Sequence, residues 1–259
     1  MLFLEKIVPG IFGLGINFAR SHDSLALLVA CGILCAVIAY LLGSLNASII
    51  ASKALFNDDV RNHGSGNAGL TNMTRVYGKK GAIYTLIGDV LKQVLSILAG
   101  ILILGSMGAY LAGIFCILGH IFPVYYRFKG GKGVLTAATM ILLIDPRVFL
   151  VLFIIFAIVL IFTKYVSLAS IISAFAYPAA VRFVTDSEMF SVIFAMIVGI
   201  IVIAMHRTNI YRLFNNEESK FSFKKKPDTQ KIMNLEDKEN DPADLISYEP
   251  KKRKKKGKK

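Results

Sequence analysis

Apolar residues in this chain come in long runs rather than at the spacing of an amphipathic helix or strand. Runs near 25–51, 81–104, 107–125, 134–144, 148–163, 166–181 and 189–205 are bounded by Gly, Pro or charge. A bilayer core takes about 20 apolar residues per crossing helix, and only an internal hydrogen-bond ladder satisfies the backbone there. The pattern predicts an all-α, polytopic membrane helical bundle of about seven transmembrane helices over residues 25–213. The fourth and fifth runs are short and are divided only by Asp145, Pro146 and Arg147.

Two flanking regions break the pattern. Residues 1–24 carry Leu2, Phe3, Leu4, Ile7 and Val8, but Pro9 and three glycines at 10–15 stop the run, which predicts an interfacial segment. A signal peptide is the rival reading, and Glu5 before Lys6 with no A-x-A-like cleavage site speaks against it. Residues 214–259 predict a disordered, charged tail that ends in KKRKKKGKK. That run reads as a solvated tail in preference to a lipid-headgroup or nucleic-acid ligand. A composition of 55% hydrophobic and 18% charged residues, with mean hydropathy +0.59, excludes a single water-soluble domain. Cys31, Cys35 and Cys116 fall inside predicted spans and form no disulfide framework.

Charge sets the orientation, because cytoplasmic loops carry the excess of Lys and Arg. One set of loops holds Lys53, Arg61, Arg75, Lys79, Lys80, Arg127, Lys129, Lys132, Lys164, Arg207 and Arg212; the alternate set holds Arg147 and Arg182. Eleven against two predicts the N-terminus outside, the C-terminus in the cytoplasm and an odd number of spans.

The richly charged loops also carry the candidate chemistry. The first, RNHGSGNAGLTNMTRVYG at 61–78, holds Gly64, Gly66 and Gly69, whose freedom lets successive backbone N–H groups face one anion. Ser65, Asn67, Thr71 and Asn72 add donors, and Arg75 adds a planar fork suited to phosphate. The loop matches G-x-G-x-x-G formally, but no buried strand precedes it, which argues against a dinucleotide site. A glycine turn that merely returns the chain to the membrane is the bland alternative. The second loop, LGHIFPVYYRFKGGKGVLT at 118–136, interleaves Lys129 and Lys132 with Gly130, Gly131 and Gly133 at the start of the fourth span. It lacks the first Gly and the hydroxyl of a Walker A loop. His120 reads as a structural donor in preference to a ligand or base. Ser167 and Ser170 share a face near the start of the sixth span, and His206, Asn209 and Arg212 share one where the seventh ends. Asp89 and Lys92, three apart inside the second span, are expected to pair.

In order and spacing, GSGNAGLTNMTR, GHIFPVYYRFKGGKGVLT, SLAS and HRTNIYRL resemble the motifs of the bacterial acyl-phosphate:glycerol-3-phosphate acyltransferases, over residues 38–213. The resemblance implies a seven-span membrane enzyme of the bacterial cell membrane, with its active site on the cytoplasmic face. It implies transfer of a fatty acyl group from acyl phosphate to the 1-hydroxyl of glycerol 3-phosphate, giving lysophosphatidic acid and phosphate, the first step of phospholipid synthesis. No metal, nucleotide cofactor or nucleic acid is implied, and functional coupling to an acyl-phosphate-forming enzyme is. Position by position it marks Ser65, Asn67, Asn72, Arg75, Lys129, Lys132, Ser170, His206 and Asn209. Catalytic roles are expected for His206, Ser65, Ser170 and Asn209. Phosphate binding is expected for Arg75, Lys132, Lys129, Gly64, Gly66, Asn67, Gly69 and Asn72. The base for the glycerol hydroxyl is His206 or a substrate phosphate oxygen. Leu70 stands where the family usually has Ala, Asn216 where it has Gly, and the tail is longer and more charged than usual. A carrier for a phosphorylated solute is the rival class, but its polar groups would lie near the bilayer midplane rather than in loops on one side. An inert membrane scaffold would leave the cationic glycine loops unexplained.

Overall fold

The computed structural model describes residues 24–185 and 189–221. The interfacial segment expected before Ser24 and the basic run at 251–259 lie outside the described residues. Among the described residues all regular structure is helical: α1 Leu25–Ser44, α2 Ala47–Phe56, α3 Leu70–Ile121, α4 Val134–Ile144, α5 Pro146–Thr163, α6 Val166–Val184, α7 Met189–Met205 and α8 Arg207–Phe214. Short 3-10 turns at Val60–Asn62 and Val124–Tyr126 lie in the two glycine-rich loops.

As one straight rod the 52 residues of α3 would extend about 78 Å, more than twice a hydrocarbon core. Two glycines divide it. Gly78 (φ 67°, ψ −153°) and Gly105 (φ 61°, ψ −141°) take conformations that side chains resist, leaving helical pieces at 70–77, 79–104 and 106–121. At Gly105 the chain doubles back, and a methyl group on Gly108 would stand 1.9 Å from the Gly100 carbonyl oxygen. Two further glycines let α1 press against the returning piece: Gly43 touches Cys116, and Gly119 touches Tyr40 and Ser44.

The first apolar run, expected as one span over 25–51, is broken after Ser44. Asn46 caps a new helix, its Oδ1 accepting from Ile49 N at 3.2 Å while its Nδ2 donates to Ala68 O at 3.4 Å. Asp145 caps α5 in the same way, accepting from the backbone of Arg147 and Val148. At 11 residues α4 is about 16 Å long, half a membrane thickness, so the second loop enters the bundle to reach it.

The bundle buries small and polar groups and exposes large apolar ones. Ile33, Leu34, Ile87, Leu91, Ile154, Ile158, Ile161 and Ile200 face outward, as a surface solvated by acyl chains requires. The apolar core lies where α4 to α7 meet the two long pieces of α3, around Ile97, Ile117, Met140, Val148, Tyr177 and Val198.

Candidate active site

Both glycine loops, the first turns of α4 and α6, and the junction of α7 with α8 surround one cavity of about 640 Å³. Its mouth is polar, with Gly64, Ser65, Asn67, Gly69, Arg75, Lys132, Ser167, Ser170, His206, Asn209, Arg212 and Glu218 on the wall. From there an apolar arm continues between α4, α5, α6 and α7, past Leu142, Phe149, Phe153, Phe156, Ala174 and Val198. Val166 and Tyr177, at the two ends of the α6 lining, are 11 residues and so about 16 Å apart along the helix.

The first loop is folded by its own side chains. Asn72 Oδ1 accepts from Ser65 N at 2.9 Å, and Asn72 Nδ2 donates to Val60 O and His63 O, at 3.1 and 3.0 Å. Gly64 has φ +59° with Asn72 against it. Arg61 ties this loop to the second, its guanidinium donating to Tyr126 O at 3.0 Å and to Lys129 O at 3.2 Å while pairing with Asp59. Gly131 is the point where the loops meet: a methyl there would stand 2.1 Å from His120 Nε2 and 2.5 Å from Ala68 O. The second loop then turns through Gly133 (φ +77°) into α4, whose N-terminus no side chain caps. That end of the helix faces the cavity with its positive pole.

Three cations converge at the mouth. Lys132 Nζ donates to Asn209 Oδ1. Burial lowers its ammonium from the ordinary 10.5 to about 8; Glu218 opposes the fall, and Arg212 and Arg75 add to it. Arg75 makes no side-chain hydrogen bond to a described residue, so its fork is open to the cavity. Arg212 Nε donates to Glu218 Oε2 at 2.9 Å. Glu218 also accepts from Ser167 Oγ and Asn209 Nδ2, both at 2.7 Å. Burial alone would raise the Glu218 carboxyl, but these three hydrogen bonds outweigh it and hold it below the usual range. His206, at the break between α7 and α8, lies 2.7 Å from Val202 O through Nδ1. A carbonyl only accepts, so the proton is on Nδ1, and a neutral ring keeps its Nε2 lone pair free.

The sequence-based expectations fare unevenly against this geometry. Ten of the twelve expected site residues line the cavity: Gly64, Ser65, Asn67, Gly69, Asn72, Arg75, Lys132, Ser170, His206 and Asn209. Gly66 and Lys129 are not on its wall. Gly66 closes a turn, donating from N to His63 O, and Lys129 is exposed, with its backbone carbonyl bound by Arg61. Asn72 holds the loop with the donors expected to meet phosphate, and Ser170 Oγ already donates to Val166 O at 2.8 Å. The expected pair in the second span forms, with Lys92 Nζ 2.9 Å from Asp89 Oδ1. Disorder was expected from residue 214, yet 215–221 fold back, and Phe221 N donates to Lys164 O at 2.8 Å. Glu218 was missed for that reason. The available signal was Arg212, a cation on one face with His206 and Asn209 that lacked an anion.

The model of the glycerol-3-phosphate acyltransferase family matches residues 33–216. A glycerol-3-phosphate acyltransferase of Finegoldia magna is 39% identical over 193 residues, covering 74% of this chain and 96% of the relative. One of Syntrophotalea carbinolica is 42% identical over 187 residues, covering 71% and 94%. The fold is similar to the crystal structure of PlsY (YgiH), an integral membrane glycerol 3-phosphate acyltransferase, in its glycerol 3-phosphate form. There the TM-score is 0.68 at 34% identity, over 78% of this chain and 98% of that one. The lysophosphatidic acid form of PlsY gives 0.66 at 33% identity, over 74% and 96%. A cavity with a cationic mouth and an apolar arm, the membrane-type surface and these matches over more than two thirds of the chain agree, and the chain belongs to the glycerol-3-phosphate acyltransferase family.

Proposed function

We propose that the chain transfers a fatty acyl group from acyl phosphate to the 1-hydroxyl of glycerol 3-phosphate, at the cytoplasmic face of a bacterial cell membrane. The observation that carries this reading is the shape of the cavity: a cationic mouth next to an arm lined by Phe149, Phe153 and Phe156. An acyl phosphate needs both environments, and glycerol 3-phosphate needs only the first. The inside-positive loops support the orientation, with the N-terminus outside and the site in the cytoplasm.

Arg75, Lys132 and the uncapped start of α4 hold the two phosphates, and this brings hydroxyl and carbonyl carbon together. Glu218 fixes Asn209 and Arg212, and Asn209 fixes Lys132, so the cation is positioned before substrate arrives. The hydroxyl oxygen bonds to the carbonyl carbon and the carbon–oxygen bond to phosphate breaks. The hydroxyl proton leaves through His206 Nε2 or directly to a phosphate oxygen, and ends on the released phosphate. An acyl phosphate is an activated anhydride, so Ser65 and Ser170 serve by hydrogen bonding, without a covalent intermediate.

The test gives purified protein palmitoyl phosphate and glycerol 3-phosphate, with acyl-coenzyme A as the control donor. Lysophosphatidic acid and phosphate formed from acyl phosphate alone is the expected result. Transfer from acyl-coenzyme A alone would overturn the donor assignment.

A further inference from the structure

Beneath the second loop lies a group of charges that this reaction leaves unused. Asp89, Lys92 and His120 are 1%, 4% and 3% exposed, deep inside the bundle. Lys92 Nζ lies 2.9 Å from Asp89 Oδ1 and 2.9 Å from His120 Nδ1. It also donates to Gly43 O at 3.0 Å and Leu45 O at 3.2 Å, where α1 ends. The two carbonyls and Nδ1 take the three ammonium protons, and Asp89 Oδ1 pairs with it by charge, without a hydrogen bond. An ion pair at this depth is costly to desolvate, and apolar residues of the same volume would fold as well or better.

The contact fixes the imidazole tautomer. Nδ1 also faces Asp89 Oδ1, at 3.5 Å, but the ammonium is nearer, at 2.9 Å, and has protons to give and no lone pair, so Nδ1 presents its own lone pair to Lys92. The neutral ring then carries its proton on Nε2. That edge lies against Gly131, whose lack of a side chain leaves it uncovered, and His120 and Asp89 both line the cavity. Among the described residues none accepts a hydrogen bond from Nε2. The result is a neutral N–H donor with a buried ammonium directly behind it, between the two loops that meet the phosphates.

We propose that His120 donates this hydrogen bond to the carbonyl oxygen of the acyl donor. The phosphates carry full charge from the start and have Arg75, Lys132 and Arg212. A neutral donor backed by a cation suits an oxygen that is neutral in the substrate and negative in the tetrahedral state. As the glycerol oxygen bonds to the carbonyl carbon, the C=O electron pair moves onto that oxygen. It returns when phosphate is expelled, and His120 gives up no proton. The assignment rests on the acyl phosphate reading above.

The test uses the full chain in detergent, with acyl phosphate and glycerol 3-phosphate as substrates. In His120→Asn the Oδ1 replaces Nδ1 as acceptor for Lys92, but no donor reaches the position of Nε2. In His120→Gln the amide N–H reaches it. His120→Asn is expected to lower kcat about 100-fold with the KM for glycerol 3-phosphate within about twofold, and His120→Gln to recover about tenfold. Wild-type kcat in His120→Asn overturns the proposal. So does an equal loss in both variants with lowered Tm and raised KM, which assigns His120 to structure alone. Wild-type protein inert toward acyl phosphate overturns the donor reading and this assignment together; active wild type with an unaffected variant overturns only the assignment. Wild-type protein labelled with ¹⁵N-histidine gives a reading that needs no variant to fold. A non-hydrolysable acyl phosphonate is expected to move the His120 Nε2–H resonance downfield, and an unchanged resonance overturns the proposal.

Discussion

Lys132→Arg is expected to abolish the alkaline limb in the pH profile of kcat/KM for glycerol 3-phosphate. In the wild-type chain the Lys132 ammonium ionises at about 8 instead of 10.5, chiefly because it is buried. Keeping it charged there costs about 3 kcal/mol relative to water. A phosphate bound against it returns most of that cost and raises the value in the complex. The free enzyme is therefore the state that titrates, and kcat/KM reports it. The protonated form binds, so activity is lost as pH rises: kcat/KM should be halved near pH 8 and reduced about tenfold near pH 9, while kcat holds at saturating substrate. Stability runs the other way. Between about 8 and 10.5 the unfolded chain holds a proton that the folded one lacks, so this group makes the fold more stable with rising pH across that window. Arginine stays charged throughout the range. Its plateau should fall, because a planar fork fits the Asn209 contact poorly, but the limb near pH 8 should vanish. Initial rates from pH 6.5 to 9.5, corrected for spontaneous acyl phosphate hydrolysis, decide the matter. The same limb in Lys132→Arg would refute the argument, because the titrating group would then lie elsewhere.

Arg75→Ala should separate binding from folding: with no hydrogen bond from Arg75 to a described residue, Tm should stay within about 2 °C, while the loss of charge-assisted bonds of about 1.5–3 kcal/mol lowers kcat/KM about 10- to 100-fold. Glu218→Gln replaces an acceptor of three hydrogen bonds with a group that must donate from one end. Thermal unfolding should show a loss of about 1.5–3 kcal/mol, together with a raised KM for glycerol 3-phosphate as Asn209 releases Lys132. Gly131→Ala places a methyl group 2.1 Å from His120 Nε2 and 2.5 Å from Ala68 O; it should cost about 1–3 kcal/mol in stability and most of the activity, measured beside Gly32→Ala, where nothing lies within 4 Å.

Hydropathy made the helices legible because in lipid the apolar run and the helix are the same object, and the observed helices fall on the runs at 81–104, 107–125, 134–144 and 189–205 with small shifts. It could not reveal the break after Ser44, which depends on where Asn46 finds partners, Ile49 N three residues on and Ala68 O 22 residues on. Residue type made Arg75, Lys132, His206 and Asn209 legible, since cations, imidazole and amide at one end of several spans converge whatever the loop details. Type could not separate Lys129 from Lys132. Both are lysines on one glycine-rich turn, and only the Arg61 clasp and the start of α4 send one into the cavity and the other to the surface. Glu218 was illegible because a polar stretch past the last helix has the composition of a tail, and its order comes from Ser167, 51 residues earlier.

The positions of the glycines explain how such a site can be held at a membrane surface without a soluble domain. Apolar association does not drive helices together in lipid, so close backbone approach must. Gly43 and Gly119 bring α1 against the returning piece of α3, and Gly100 and Gly108 bring the two long pieces of α3 together. That packing sets Lys92 under the end of α1 and beside His120. Gly131 then rests on His120, and Ala68 rests on Gly131. Helix packing is thereby transmitted to both loops through contacts that tolerate no side chain. A substitution at Gly43 or Gly119, far from any phosphate, should therefore disturb Lys132 as surely as one in the loop itself. Gly119→Ala, whose methyl would stand 2.3 Å from Tyr40 O, should raise the KM for glycerol 3-phosphate as well as lower Tm. A fall in Tm with unchanged KM would show that the loops hold their geometry independently of the helices.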